Sequence, residues 1–151
     1  FRPELFQIDH SYTLDQDDTY TGIDKLQVFI NRFPNSEYVS EALELMNDLQ
    51  NKLEEKDFEI SKQYYTIRDY TSAIKALDSF VADNPGTIFR EEALYYKWLS
   101  QFEIAINSIE SRIVDRVTEL ERSLDNFLRN YPDTIFIEDL SEKINIAKQL
   151  L

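Results

Sequence analysis

Apolar residues recur along most of this chain in steps of three and four, the spacing that lines one face of an α-helix. Ile23, Leu26, Phe29 and Ile30 form one such stripe. The cluster Asp15, Asp17, Asp18 and Thr19 before it reads as a helix start, and the helix is expected to end near Phe33. Residues 1–16 carry no clear period and are expected to be an irregular N-terminal segment. From Ser36 to Ile67 there is neither Gly nor Pro, and Ala42, Met46, Leu49, Leu53, Ile60, Tyr64 and Ile67 keep the spacing with one skip near Lys56. The pattern predicts a single long helix over residues 36–67, roughly 48 Å at 1.5 Å per residue.

Arg68-Asp69-Tyr70-Thr71 breaks that pattern, with Asp69 placed to cap the helix that uses Ala73, Ile74, Leu77, Phe80 and Val81. A further helix uses Ala93, Leu94, Trp98, Phe102 and Ile106, and a polar seam at Asn107-Ser108 separates it from one using Ile113, Val117, Leu120, Leu124 and Phe127. The last, from about Ile135, uses Leu140, Ile144, Ala147 and Leu151. About six helices are expected, and the class is all-α.

One motif occurs three times: Phe29 to Tyr38, Phe80 to Phe89 and Phe127 to Phe136. Each runs Phe, four residues, Pro, one residue, Ser or Thr, one residue, aromatic, and an acid follows at Glu41, Glu92 and Asp139. Pro34, Pro85 and Pro132 lack an N–H and disfavour helix in the residue before them, so each ends an incoming helix. Asn35, Gly86 and Asp133 suit a turn. Ser36, Thr87 and Thr134 are candidate N-caps for the outgoing helix. The aromatics at either end of each motif are expected to meet across the turn. Antiparallel hairpins repeated in this way stack into a solenoid.

Composition narrows the function classes. The 2 glycines and 4 prolines among 151 residues are too few for an all-β fold. A net charge of −13 argues against nucleic acid and anionic lipid as partners. It is compatible with a basic patch on a protein partner. There is no cysteine, and no apolar run approaches the length of a membrane span. His10 stands alone, without the companions a zinc site or a catalytic base requires. The acid pairs Asp17-Asp18, Glu54-Glu55 and Glu91-Glu92 sit on neighbouring helical positions, which diverge by about 100° and do not converge on one point. No catalytic, metal or cofactor site is expected. The tyrosine pairs Tyr64-Tyr65 and Tyr95-Tyr96 remain. Two adjacent helical residues cannot share one core stripe, so one of each pair is expected in a groove or on a surface, either as a boundary aromatic or as an interface anchor.

These residues carry a resemblance. Phe29 to Leu53, with Phe-Pro-Asn-Ser-Glu-Tyr-Val-Ser-Glu-Ala, resembles a repeat of the BamD family of outer-membrane assembly lipoproteins. Lys56 to Ala76, with Glu59, Tyr64-Tyr65, Arg68, Tyr70 and Ala73, is similar to that family's long helix and the hairpin after it. Asn84 to Leu94 resembles its final repeat. Leu14-Asp15-Gln16 before Tyr20, and Ala105 to Ser111, are similar to the Bacteroidetes-type branch. The resemblance implies a tetratricopeptide-like helical hairpin solenoid over residues 17–151, forming the carboxy-terminal part of a longer lipoprotein. The protein would lie on the periplasmic face of the outer membrane, with its anchoring cysteine before Phe1.

It also implies a non-catalytic scaffold that docks the POTRA region of a BamA-like barrel protein and other assembly subunits. Tyr65, Arg68, Lys75, Asp78 and Tyr96 are the candidate partner-binding residues. In some relatives an arginine on the helix after the long one pairs with a POTRA acid. The aligned position here is Ala76, which makes Lys75 the substitute candidate. The alternatives are another periplasmic repeat adaptor of the cell-division or Tol type, and an enzyme or its regulatory domain, for which the sequence offers no constellation.

Overall fold

The computed structural model describes the backbone of residues 3–151 and the side chains of residues 16–151. Six helices follow one another: α1 (Pro3–Arg32), α2 (Val39–Thr66), α3 (Tyr70–Asp83), α4 (Arg90–Ile106), α5 (Glu110–Asn130) and α6 (Ile137–Lys148). No strand occurs among the described residues. The fold is all-α and tetratricopeptide-like, with the long second helix where its stripe predicts it. The chain divides into two compact units, Phe1–Asp57 and Phe58–Leu151, and α2 runs through the division.

Residues 1–16 depart from expectation, because α1 is helical from Pro3 onward and the helix start expected at residues 15–19 lies inside it. Proline suits a first helical position, where the N–H it lacks would have no intrahelical acceptor. A missing apolar stripe removes the sign of a buried face without opposing helical backbone. His10 lies outside the described side chains. In the first unit Gly22 lies against α2, where an added Cβ would sit 3.2 Å from Leu49 Cδ1. Ala42 and Leu53 are buried there, and Ile23, Leu26, Phe29, Ile30, Met46 and Leu49 are half-buried.

The three proline turns share one geometry. The N–H of the residue before proline closes the incoming helix on the motif's phenylalanine: Phe33 on Phe29, Asn84 on Phe80 and Tyr131 on Phe127, at 2.9, 3.0 and 2.9 Å. A β-turn with proline second follows, in which Ser36, Thr87 and Thr134 donate to the carbonyls of Phe33, Asn84 and Tyr131 at 3.1, 3.1 and 3.2 Å. The next helix starts three residues later. Ala42, Ala93 and Leu140, all buried, donate its first bonds to Tyr38, Phe89 and Phe136 at 2.9, 2.9 and 3.0 Å.

This extra turn corrects the capping expectation. Ser36, Thr87 and Thr134 accept not from the helix but from the N–H two residues on, that of Tyr38, Phe89 and Phe136, at 3.2, 3.2 and 3.3 Å. The helix N–H groups lie beyond their reach. Asp69 caps α3 as its sequence context predicts, accepting from the Ser72 N–H at 3.2 Å.

The second unit is organised around α4. Ala93 joins Phe58, Leu77 and Phe80 in one buried cluster. Trp98, Leu99, Phe102 and Ala105 join Val117, Leu120, Leu124, Phe127, Leu140, Ile144 and Ala147 in another. Trp98 is 1% exposed, and its indole N–H donates to the Leu120 carbonyl at 3.1 Å. Its one polar atom is thus satisfied inside the core.

In the second motif the aromatics flanking the turn meet through a third ring rather than directly. Phe80 and Phe89 both pack on Phe58, at centroid distances of 5.8 and 5.6 Å. Phe136 stacks on Tyr95 at 3.9 Å. In the first motif Phe29 packs on Phe33 instead, at 5.7 Å, and Tyr38 is exposed. Two stripe assignments also change. Ile60, Tyr64 and Ile67 are exposed while Phe58 and Ser61 are buried, so in its second half α2 packs through a different face. Leu151 lies past the end of α6 and is exposed.

Candidate docking surface

The end of α2 places most of the chemically distinctive side chains together. Its last turn closes as a double-bonded cap: Asp69 N–H reaches the Tyr64 carbonyl at 2.9 Å and Arg68 N–H the Tyr65 carbonyl at 3.0 Å. That cap puts Arg68 at φ 65°, the left-handed region, with its side chain exposed. Glycine adopts this conformation without penalty, whereas other residues are strained there.

An aromatic chain runs from this corner across the second unit. Tyr65 packs on Tyr70 at 5.8 Å and on Tyr96 at 5.3 Å, and Tyr96 meets Tyr95 at 5.3 Å and Phe58 at 6.4 Å. Lys62 lies over the Tyr96 ring at 4.9 Å, between Glu59 and Glu92, each 3.8 Å away. The Tyr65 hydroxyl is raised above its ordinary value by burial, then by the charge of Glu103. Of the predicted site residues, Tyr65 and Tyr96 are therefore half-buried and packed on one another. Asp78, exposed on α3, is held by Lys97 of α4 at 2.6 Å. Lys75 and Arg68 are exposed and carry no ion pair among the described residues. In the first tyrosine pair one member lies outside, as expected, but it is Tyr64, 37% exposed, which the stripe had assigned to the packed face. In the second, both rings are half-buried.

A polar tether between repeats begins at the end of this aromatic chain, at Tyr95 of α4. The Tyr95 hydroxyl donates to Asp139 Oδ2 at 2.6 Å, and Lys143 pairs with the other carboxylate oxygen. Burial, followed by the hydrogen bond to Asp139, pushes the Tyr95 hydroxyl far above the tyrosine range. Burial opposes charge on Asp139, but the bonds from Lys143 and Tyr95 outweigh it and hold the carboxyl below its ordinary value. The recurring acid of the motif marked Asp139 in the sequence, but nothing local marked Tyr95 as its partner, 44 positions away. Arg90 Nη1 donates to the Tyr131 hydroxyl at 3.2 Å and links the second and third turns.

Among the described residues no group of His, Cys, Asp and Glu could hold a metal, and no helix is long and apolar enough to cross a membrane. The arrangement supplies aromatic and charged contact surfaces. The family model YfiO, described as outer membrane lipoprotein, matches residues 4–68 and 62–151. A comparison with curated proteins finds no match.

Proposed function

The chain belongs to the YfiO family of outer membrane lipoproteins, and on that premise we propose that it is a non-catalytic, protein-binding scaffold of the outer-membrane β-barrel assembly machinery. In this reading it works at the periplasmic face of the membrane, docks the POTRA region of a BamA-like barrel protein and supports insertion of outer-membrane proteins. The family match, which extends through the hairpins of both units, carries the reading. The α2–α3 corner supports it, because tyrosine and arginine dominate the energetics of protein interfaces and this corner presents both. Lys75 is the proposed substitute for the arginine contact of relatives, and its exposed ammonium is available for a partner's acid.

Co-purification of the full-length protein from outer membranes tests the proposal. A large barrel protein with POTRA domains should be recovered in stoichiometric amount. Recovery of a cell-division or Tol-associated complex in its place would transfer the protein to another periplasmic role.

A further inference from the structure

Isoleucine stands at the same place in two of the three proline turns, between the hydroxyl residue and the second aromatic: Ile88 and Ile135. The first turn carries Glu37 there, exposed, so the turn itself needs no apolar side chain at this position. Nor is isoleucine a residue that turn geometry favours. Neither side chain joins a core: Ile88 is 69% and Ile135 86% exposed, and Ile137 beside it is 41% exposed. Isoleucines scattered singly over a surface are ordinary, but the fold brings these together. Arg90 Nη1, two residues after Ile88, donates to the Tyr131 hydroxyl at 3.2 Å, and Phe136, next to Ile135, stacks on Tyr95 of α4 at 3.9 Å. The second and third turns therefore lie side by side on one edge of the second unit.

The charge beside this edge is negative. Glu91 follows Ile88 by three residues, and Asp133 and Glu138 flank Ile135 and Ile137. None of these three acids has an ion pair among the described residues, whereas Glu92 and Asp139 are held by Lys62 and Lys143. Of the nearby cations, Arg90 is engaged with Tyr131, and Arg129 sits in the last turn of α5, where the helix end favours it.

We propose that Ile88, Ile135 and Ile137 form a docking edge for a basic, apolar segment of a protein partner. Its aliphatic side chains cover the isoleucines, and its lysines or arginines reach Glu91, Asp133 and Glu138. Charge selects this occupant, because a net charge of −13 draws a cationic segment in and repels both acidic segments and anionic lipid. An apolar centre with a polar rim is also the layout of a protein interface. The edge is separate from the α2–α3 corner and serves a contact other than the POTRA docking proposed there. The 14 residues of α3 lie between the two, about 20 Å at 1.5 Å per residue, so both can be occupied together.

The test uses the full-length protein and a fluorescent peptide of alternating leucine and lysine, read by anisotropy. In one control peptide glutamate replaces lysine, and in the other serine replaces leucine. The wild type is expected to bind the leucine–lysine peptide about tenfold more tightly than either control. Ile88→Ser combined with Ile135→Ser should weaken that binding about tenfold. Asp133→Asn combined with Glu138→Gln should weaken it about threefold and make it less sensitive to salt. Ile109→Ser, at an isoleucine 70% exposed before α5, should leave affinity unchanged. All these side chains are exposed, so circular dichroism and the urea midpoint should stay at wild-type values. A wild type with no preference for the leucine–lysine peptide overturns the proposal. So does preferential binding that the isoleucine pair leaves within about twofold, or that Ile109→Ser weakens equally. Flotation with phosphatidylethanolamine–phosphatidylglycerol vesicles, abolished by the isoleucine pair, overturns it by assigning the edge to lipid. A wild-type dimer dissolved by the same pair overturns it by assigning the edge to a second copy. Co-purification of the barrel protein is independent of every one of these outcomes, so the scaffold reading stands or falls separately.

Discussion

At Arg68 the backbone sits at φ 65° because the cap that ends α2 requires a left-handed residue there. Replacement by glycine removes a penalty of about 1–2 kcal/mol and loosens the unfolded chain by somewhat less. Arg68→Gly is therefore expected to raise stability by about 0.5 kcal/mol in urea unfolding, even as it removes a charge. Tyr95 and Asp139 give a pH prediction of opposite signs. The Tyr95 pKa is raised, so its contribution is complete below the ordinary value of 10.0 and disappears as pH rises through the folded value. The Asp139 pKa is lowered, so its contribution is complete above 3.8 and disappears as pH falls through the folded value. The α4–α6 tether is thus intact throughout the neutral range. Tyr95→Phe should cost about 1 kcal/mol in urea unfolding at neutral pH.

The turns and the long helix show what is legible at the scale of an element. Proline, a turn residue and a hydroxyl act on backbone within a few residues, so the corners at Pro34, Pro85 and Pro132 can be read from local sequence. The extra β-turn could not, because Ser36, Thr87 and Thr134 are equally suited to cap a helix directly. Nor could the change of packing face in α2, because Ile60, Tyr64 and Ile67 continue a regular stripe and only tertiary contacts decide that Phe58 and Ser61 go inside. The site was legible in part. One tyrosine of the first pair lies outside, as adjacency on a helix requires, but it is Tyr64, which the stripe had put inside; Tyr65 and Tyr96 meet each other across 31 positions and Asp78 finds Lys97, pairings that no local signal announces. The turn hydroxyls yield a graded prediction. Thr87 and Thr134 are 7% and 6% exposed, so Thr87→Ala and Thr134→Ala should each cost about 1 kcal/mol. Ser36→Ala, at a half-buried hydroxyl, should cost less by the same measurement.

Across the molecule, burial is uneven. Among the described residues the first unit has Ala42 and Leu53 as its buried apolar side chains, while the second holds two buried clusters around α4. Local opening follows buried contact, so amides of the second unit should exchange more slowly, and α2 should change rate along its length near Asp57. A uniform rate across α2, read by hydrogen-exchange mass spectrometry, would argue for a single cooperative unit. Trp98→Ala, which empties the centre of the larger cluster, should cost about 3–5 kcal/mol.

The position of Trp98 has an optical consequence. It is the chain's only tryptophan and lies in the second unit, sealed from water with its indole hydrogen-bonded. Its emission is therefore blue-shifted and reports that unit alone, whereas far-ultraviolet ellipticity counts every helix. A red shift that trails the loss of ellipticity during denaturation would show the first hairpin melting in the dark, before the fluorophore registers any change.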